Sequence, residues 1–407
     1  MMKANPDRVL RDLHFLREIG RYKTGVHRPT LSADDLHTRH WLIEQLQQIG
    51  YQAHMDGIAN VIGYSPAPGR KLLCGSHIES QNRAGWLDGA LGVVYALEAA
   101  RALVEAGGSG DAGIDVMAFA DEEGHFGSMM GSRSLVGLVS EADMDASRDR
   151  SSGTPLREAL KNAGLADTPR LALDVDRYCG CLEAHIEQGD WLESEGLSVG
   201  VVTSIVGIWQ FRLTFKGVQN HAGTTRMAIR RDAGVALTRL CQTIEQRFPD
   251  VVGPRTVWTV GHIALDPGAP SIVPGGAEML FQFRDADPER LVRLEATLAD
   301  IVANENANGP CQVTMENQSR GVPALMDERF QAAIEAGAEA IVPGKHARMP
   351  SGAGHDAQVI SQKIPAAMMF VPSIGGISHH YTENTADHDI AVGAQVYVEA
   401  AARILAG

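Results

Sequence analysis

Residues 114–124 read Ile-Asp-Val-Met-Ala-Phe-Ala-Asp-Glu-Glu-Gly. The first seven form an almost unbroken apolar run without the alternation of a half-exposed strand, which predicts a strand buried on both faces. Such strands belong to sheets with crossover helices, so the stretch points to an α/β fold. The flanking sequence agrees. Residues 71–74 read as the end of a strand, and 181–185 and 201–205 as two more. Residues 91–106 read as a helix, because Val93, Leu97, Ala100 and Val104 recur at helical spacing and Gly107-Gly108 supply a stop.

Near residue 208 the pattern changes. Trp209, Phe211, Leu213 and Phe215 alternate with Gln210, Arg212, Thr214 and Lys216, as in a half-buried antiparallel strand. A helix (231–247), two strands (255–263 and 277–284), a second helix (288–305) and a strand (311–317) follow. The order βαββαβ is that of a ferredoxin-like sandwich. Residues 208–320 are therefore expected to be an inserted domain. Residues 1–207 and 321–407 would form its host, ending in a helix near 389–405. No repeat or low-complexity segment interrupts this plan.

The 407 residues carry 36 Lys+Arg against 50 Asp+Glu, a net charge of −14, with 44% apolar residues. That is globular composition with ample material for a core. The negative balance opposes phosphate backbones and anionic lipid, so neither nucleic acid nor membrane is an expected partner. The first twenty residues read as a charged amphipathic helix rather than a signal peptide. No run approaches the roughly 18 to 20 apolar residues that cross a bilayer. A cytoplasmic location is expected, with the five scattered cysteines reduced.

The chemistry-bearing residues gather where strands end. Gly75-Ser-His77-Ile-Glu79 follows one strand, Asp88-Gly89 opens the helix, and Asp121-Glu122-Glu123-Gly124 closes the apolar run. In a parallel sheet the carboxyl ends of the strands line one crevice, where His77, Asp88 and Glu123 can converge. Taken singly, each has an ordinary reading: a satisfied histidine, a helix cap, a solvated turn. Imidazole with carboxylate suits zinc, manganese or nickel. His185, in Glu183-Ala-His185-Ile-Glu187-Gln188, and His379, in Ser378-His379-His380, complete a possible two-metal set, which needs a bridging carboxylate and ligands on either side.

In this order the motifs resemble the metal-dependent amidase and exopeptidase family that includes carboxypeptidase G. Within it they are similar to the branch of N-carbamoyl-L-amino-acid hydrolases, β-ureidopropionase-like enzymes and allantoate amidohydrolases. The resemblance implies an aminopeptidase-like mixed sheet with helices on both faces, the inserted domain serving as lid and dimerisation element. It implies two divalent metal ions per subunit, zinc or manganese, with His77 and His185 on one, Glu123 and His379 on the other, and Asp88 bridging. Glu122 is implied as general base. Physical logic agrees, since water activated by a dication needs a nearby carboxylate to pass its proton to the leaving nitrogen. Asn220-His221-Ala-Gly-Thr-Thr225 resembles the family's HAGTTP signature, which implies that His221 reaches an active site across a homodimer interface and stabilises an oxyanion. Arg284 would hold a substrate carboxylate, and Gln188 is similar to a metal-proximal Gln. The stretch Ser351-Gly-Ala-Gly-His355-Asp356 resembles a loop near the site, without an assigned role.

Several positions depart from that pattern. Glu79 stands where the family has an Asp that orients the first His, and one extra methylene moves that carboxylate. Arg226 replaces a Pro, and Ser271 replaces an Asn expected to bind the substrate with Arg284. Trp86 stands close to Asp88, where it could form a stacking wall. The expectation is a metal-dependent hydrolase of a non-peptide C–N bond in a small carboxylate-bearing ureido or amide compound. Alternatives are an N-acyl amino acid deacylase or dipeptidase, hydrolytic deamination of an aromatic amine, and a metal-free binding scaffold.

Overall fold

The computed structural model describes residues 2–108 and 110–407. It divides into two compact units, Met1–Thr203 with Leu325–Gly407, and Ser204–Ala324. Met1, where the first helix pattern began, lies outside the described residues. The helix itself is Pro6–Glu18, started by the Asn5 side chain accepting the amide of Arg8.

Among the described residues, the first unit is built on a nine-stranded mixed sheet. Its centre is four parallel strands, in the order Ala366–Val371, Tyr178–Ile186, Lys71–His77 and Gly113–Phe119. Antiparallel strands flank them, Val199–Ile205 on one side and Val61–Tyr64 on the other. Every residue of Lys71–His77 and Gly113–Phe119 is buried, so both faces of the sheet are covered. That is why residues 114–120 read as one apolar run. The helix Ala90–Glu105 packs on three of the central strands, and Pro6–Glu18 and Asp387–Ala406 pack on it in turn. Buried between two layers, it is apolar on nearly all sides. Because the four central strands run in parallel, their carboxyl ends all open at one edge of the sheet.

The second unit has the strands Gly207–Lys216, Val257–Asp266, Gly276–Asp285 and Gln312–Arg320, with helices Ala233–Arg247 and Pro288–Asn308 after the first and third. The strands pair antiparallel, with Val257–Asp266 at one edge, then Gly276–Asp285, Gly207–Lys216 and Gln312–Arg320. One face carries Phe211, Phe215, Phe281 and Phe283 into a core closed by Leu237, Leu240, Leu294 and Leu298 of the two helices. Burial alternates along Gly276–Asp285, and Gln282 and Arg284 fall on the face away from that core. The five cysteines are free thiols. No helix among the described residues is long and apolar enough to cross a membrane.

Candidate metal centre

Asp88 follows the strand Lys71–His77 and stands just before the helix Ala90–Glu105, where it offers its two carboxylate oxygens to two groups of ligands. Oδ1 lies 3.1 Å from His185 Nε2 and 3.4 Å from His77 Nε2. Oδ2 lies 3.5 Å from His379 Nε2, which is 3.7 Å from Glu123 Oε2. The ligand atoms of His77, Asp88 and His185, and those of Asp88, Glu123 and His379, all lie within 4.8 Å of one another within each group. Atoms bound to one cation at about 2.1 Å stand roughly 3 to 4 Å apart, so the spacing fits two neighbouring sites sharing Asp88.

The ring orientations fit as well. His185 Nδ1 lies 2.9 Å from the Ile186 carbonyl and His77 Nδ1 lies 3.2 Å from that of Glu79. A carbonyl can only accept, so each Nδ1 carries the proton and each Nε2 presents a lone pair to the shared space. The amide of Gly89 donates to His185 Nε2 at 3.1 Å, consistent with that tautomer. Glycine is required there: φ is +68°, and a Cβ would stand 2.3 Å from the His77 ring.

The remaining pieces are held by hydrogen bonds. Gln81 clamps Glu123, its amide nitrogen 2.7 Å from Oε2 and its main-chain N–H 3.0 Å from Oε1. Asp121 takes a left-handed φ of +58° and accepts the amides of His125 at 2.7 Å and Gly127 at 2.8 Å. This turns the chain sharply between the strand and the two glutamates. Glu122 lies beside the first group, 3.8 Å from His77 Nε2. Gln188 Nε2 donates to Asp88 Oδ2 at 2.8 Å, while its buried amide oxygen has no partner among the described residues.

The electrostatics also favour cations. Burial pushes the Glu122 carboxyl well above its usual range, with His77 opposing and Glu123, Asp356 and Asp88 adding to the rise. Burial and then Asp88 push Glu123 up. Asp88 is held well below its usual range in spite of burial, through His185 and His77. Buried carboxylates packed this closely are costly until positive charge enters, either as protons on His77 and His185, which in spite of burial the neighbouring carboxylates hold above the usual imidazole range, or as cations that displace those protons. The donor set, nitrogen and carboxylate oxygen, suits divalent metals such as zinc, manganese or nickel.

Other sequence-predicted residues stand as follows. The Glu79 carboxylate is 3.9 Å from His77 Nδ1, beyond hydrogen-bond reach, and is engaged elsewhere. Trp86 is not a wall for substrate: it is 2% exposed, stacked on His14 at 5.2 Å and covered by the Arg17 guanidinium at 4.7 Å. His355 packs its ring 4.7 Å from that of His185. In the second unit, His221 Nδ1 accepts the amides of Gly223 at 3.0 Å and Thr224 at 3.2 Å. Its Nε2 must then carry the proton and can donate. Ser271 belongs to the same corner, its carbonyl accepting the amide of Ala222 at 2.9 Å while His221 pairs with Ile272. Arg284 stands near the far end of the strand Gly276–Asp285. Gln81 and Glu383 were not singled out as functional from sequence; Gln81 lies four residues past His77, a spacing that could have flagged it.

The chain matches the family described as peptidase family M20/M25/M40 over residues 52–403. It is 32% identical to the N-carbamoyl-L-amino-acid amidohydrolase of Paenarthrobacter aurescens, covering 97% of each chain. It is 31% identical to the allantoate amidohydrolase of Bacillus subtilis, covering 89% of this chain and 90% of that protein. The crystal structure of an amidase of the hydantoinase/carbamoylase family from Burkholderia phymatum is similar, with a TM-score of 0.92 and 45% identity over 100% of this chain and 99% of that one.

Proposed function

The chain belongs to peptidase family M20/M25/M40, and from that premise we propose that it is a metal-dependent amidohydrolase cleaving a C–N bond of a small ureido acid, of the N-carbamoyl amino acid or allantoate type. The observation that carries this reading is Asp88, one carboxylate shared by two ligand groups, with Glu122 beside them. Two divalent cations, zinc or manganese, would be held by His77 and His185, by Glu123 and His379, and by Asp88 between them, and when bound would supply Lewis acidity that polarises the carbonyl and acidifies water. Glu122 takes the proton of the attacking water as its oxygen bonds to the carbonyl carbon. The same carboxyl then delivers that proton to nitrogen as the C–N bond breaks. Gln188 orients the reacting group, and Arg284 binds the substrate carboxylate through parallel N–H bonds. His221 donates from Nε2 to the developing oxyanion, the direction its tautomer supports.

We infer further that the protein works as a homodimer, the ferredoxin-like second unit acting as lid and dimerisation element. Two features support this. Arg284 lies eight residues along its strand from Gly276, the end near His221, or about 26 Å at ~3.3 Å per residue. One small substrate cannot span that distance, so if both residues serve it, they come from different copies. In such an arrangement Ser271 accompanies His221, not the Arg284 of its own chain. Among the described residues, the strand Val257–Asp266 is also an unpaired sheet edge with Val257, Ile263 and Leu265 exposed, a surface suited to a second copy.

The test is ammonia release from N-carbamoyl-L-amino acids and allantoate by protein reloaded with zinc or manganese, with Glu122→Gln as the blank. Turnover of a ureido acid by the parent alone supports the reading. Silence across all of them, with metal bound, overturns it.

A further inference from the structure

We propose that Arg39 is a positioning residue for this reaction: it grips the Glu79 carboxylate so that Glu79 in turn fixes the main-chain amide of Glu122. The inference rests on the reading of Glu122 as the proton carrier. Arg39 lies in the helix Ala33–Gln48, and Arg39, Asp35 and Glu79 are all 0% exposed. The guanidinium Nη2 donates to Glu79 Oε2 at 2.6 Å, and Nε donates to Asp35 Oδ1 at 2.9 Å. Nη1 reaches the carbonyls of Ala59 at 2.9 Å and Phe119 at 3.3 Å. The other oxygen of Glu79, Oε1, accepts the amide of Glu122 at 2.7 Å.

The arrangement divides the work of Glu79 between two partners. Its carboxylate does not orient the His77 ring; its own main-chain carbonyl does, at 3.2 Å. Phe119 ends the strand that leads into residues 121–123. Arg39 therefore holds the segment bearing Glu122 at two points, directly at the strand end and through Glu79 at the Glu122 amide. A guanidinium, with five donors in a fixed plane, can meet these acceptors at once, whereas an ammonium cannot. A glutamate at position 79 has the reach to touch both Arg39 and the Glu122 amide, and an aspartate is one methylene shorter.

The test compares Arg39→Lys and Glu79→Asp, which keep the charges, with the parent protein. The readouts are kcat and KM on allantoate and N-carbamoyl-L-amino acids, metal bound per chain, melting temperature, and a crystal structure of Glu79→Asp. Expected are a kcat lower by about ten- to a hundredfold, KM within about twofold, unchanged metal content and a displaced Glu122. The double variant should lose no more than the worse single one, because both act through one amide. A merely structural role would instead lower the melting temperature and leave the kcat of folded protein unchanged. If Arg39→Lys does not fold, Glu79→Asp carries the test alone. Parental kcat in the folded variants, an unmoved Glu122, or losses that track lost metal would overturn the proposal. Activity retained by Glu122→Gln would instead sink the assignment of the base. An inactive Glu122→Gln beside a fully active Glu79→Asp would sink only the role of Arg39.

Discussion

Glu383 accepts the main-chain amide of Asp88 at 3.1 Å, tying a late loop of the chain to the carboxylate that joins the two ligand groups. The same oxygen accepts the amide of Leu87 at 3.3 Å, and the other lies 3.1 Å from Ser378 Oγ. Removing Glu383 leaves two buried N–H groups unpaired, each costing about 1–3 kcal/mol. Glu383→Ala should therefore weaken metal binding by about ten- to a hundredfold, as loss of a supporting partner does. Glu383→Gln, which keeps the accepting oxygen, should retain most of it. Competition with a metal indicator dye would show the difference, and equal affinities for the two variants would argue against this role.

If His221 serves the other copy, two inactive variants can restore one another. His221→Asn and Glu122→Gln should each lose at least about a hundredfold in kcat, as loss of an oxyanion donor or a base does. Mixed after dissociation and reassembly, they should recover roughly a quarter of parental activity, because half of the random dimers carry one intact site of two. Absence of any recovery, with hybrid dimers demonstrated by mass, would place His221 in its own chain's reaction or outside it.

Gly89 is squeezed against His77. Gly89→Ala adds a Cβ that would stand 2.3 Å from the imidazole at a backbone φ of +68°. The ring must move, so the variant should bind at least about tenfold less metal at the His77 side, by analogy with other disturbances of ligand orientation. Calorimetric titration would count the sites, and parental stoichiometry and affinity would contradict the crowding argument.

How much of this was legible in the sequence depended on the kind of signal. The strand Gly113–Phe119 and the helix Ala90–Glu105 were readable to within a residue, because burial on both sides leaves a continuous apolar run and a stop at Gly107. His77, Asp88, Glu123, His185 and His379 could be grouped because parallel strands end at one edge. Glu383 and Arg39 carry no such mark, and Gln81 carries only its spacing from His77. Their contacts are hydrogen bonds to main chain and carboxylates, and those of Glu383 and Arg39 cross 295 and 40 residues of sequence. The indole of Trp86 was misleading for a related reason, since only the placement of the helix Pro6–Glu18 shows that His14 and Arg17 already occupy its faces.

The most direct test of the whole account is a titration of metal-free protein with manganese or zinc while ammonia release from a ureido acid is followed. The account predicts no activity without metal, saturation at two equivalents per chain, and loss of both metal sites and activity in Asp88→Asn. Full activity in the metal-free protein, or in Asp88→Asn, would contradict it.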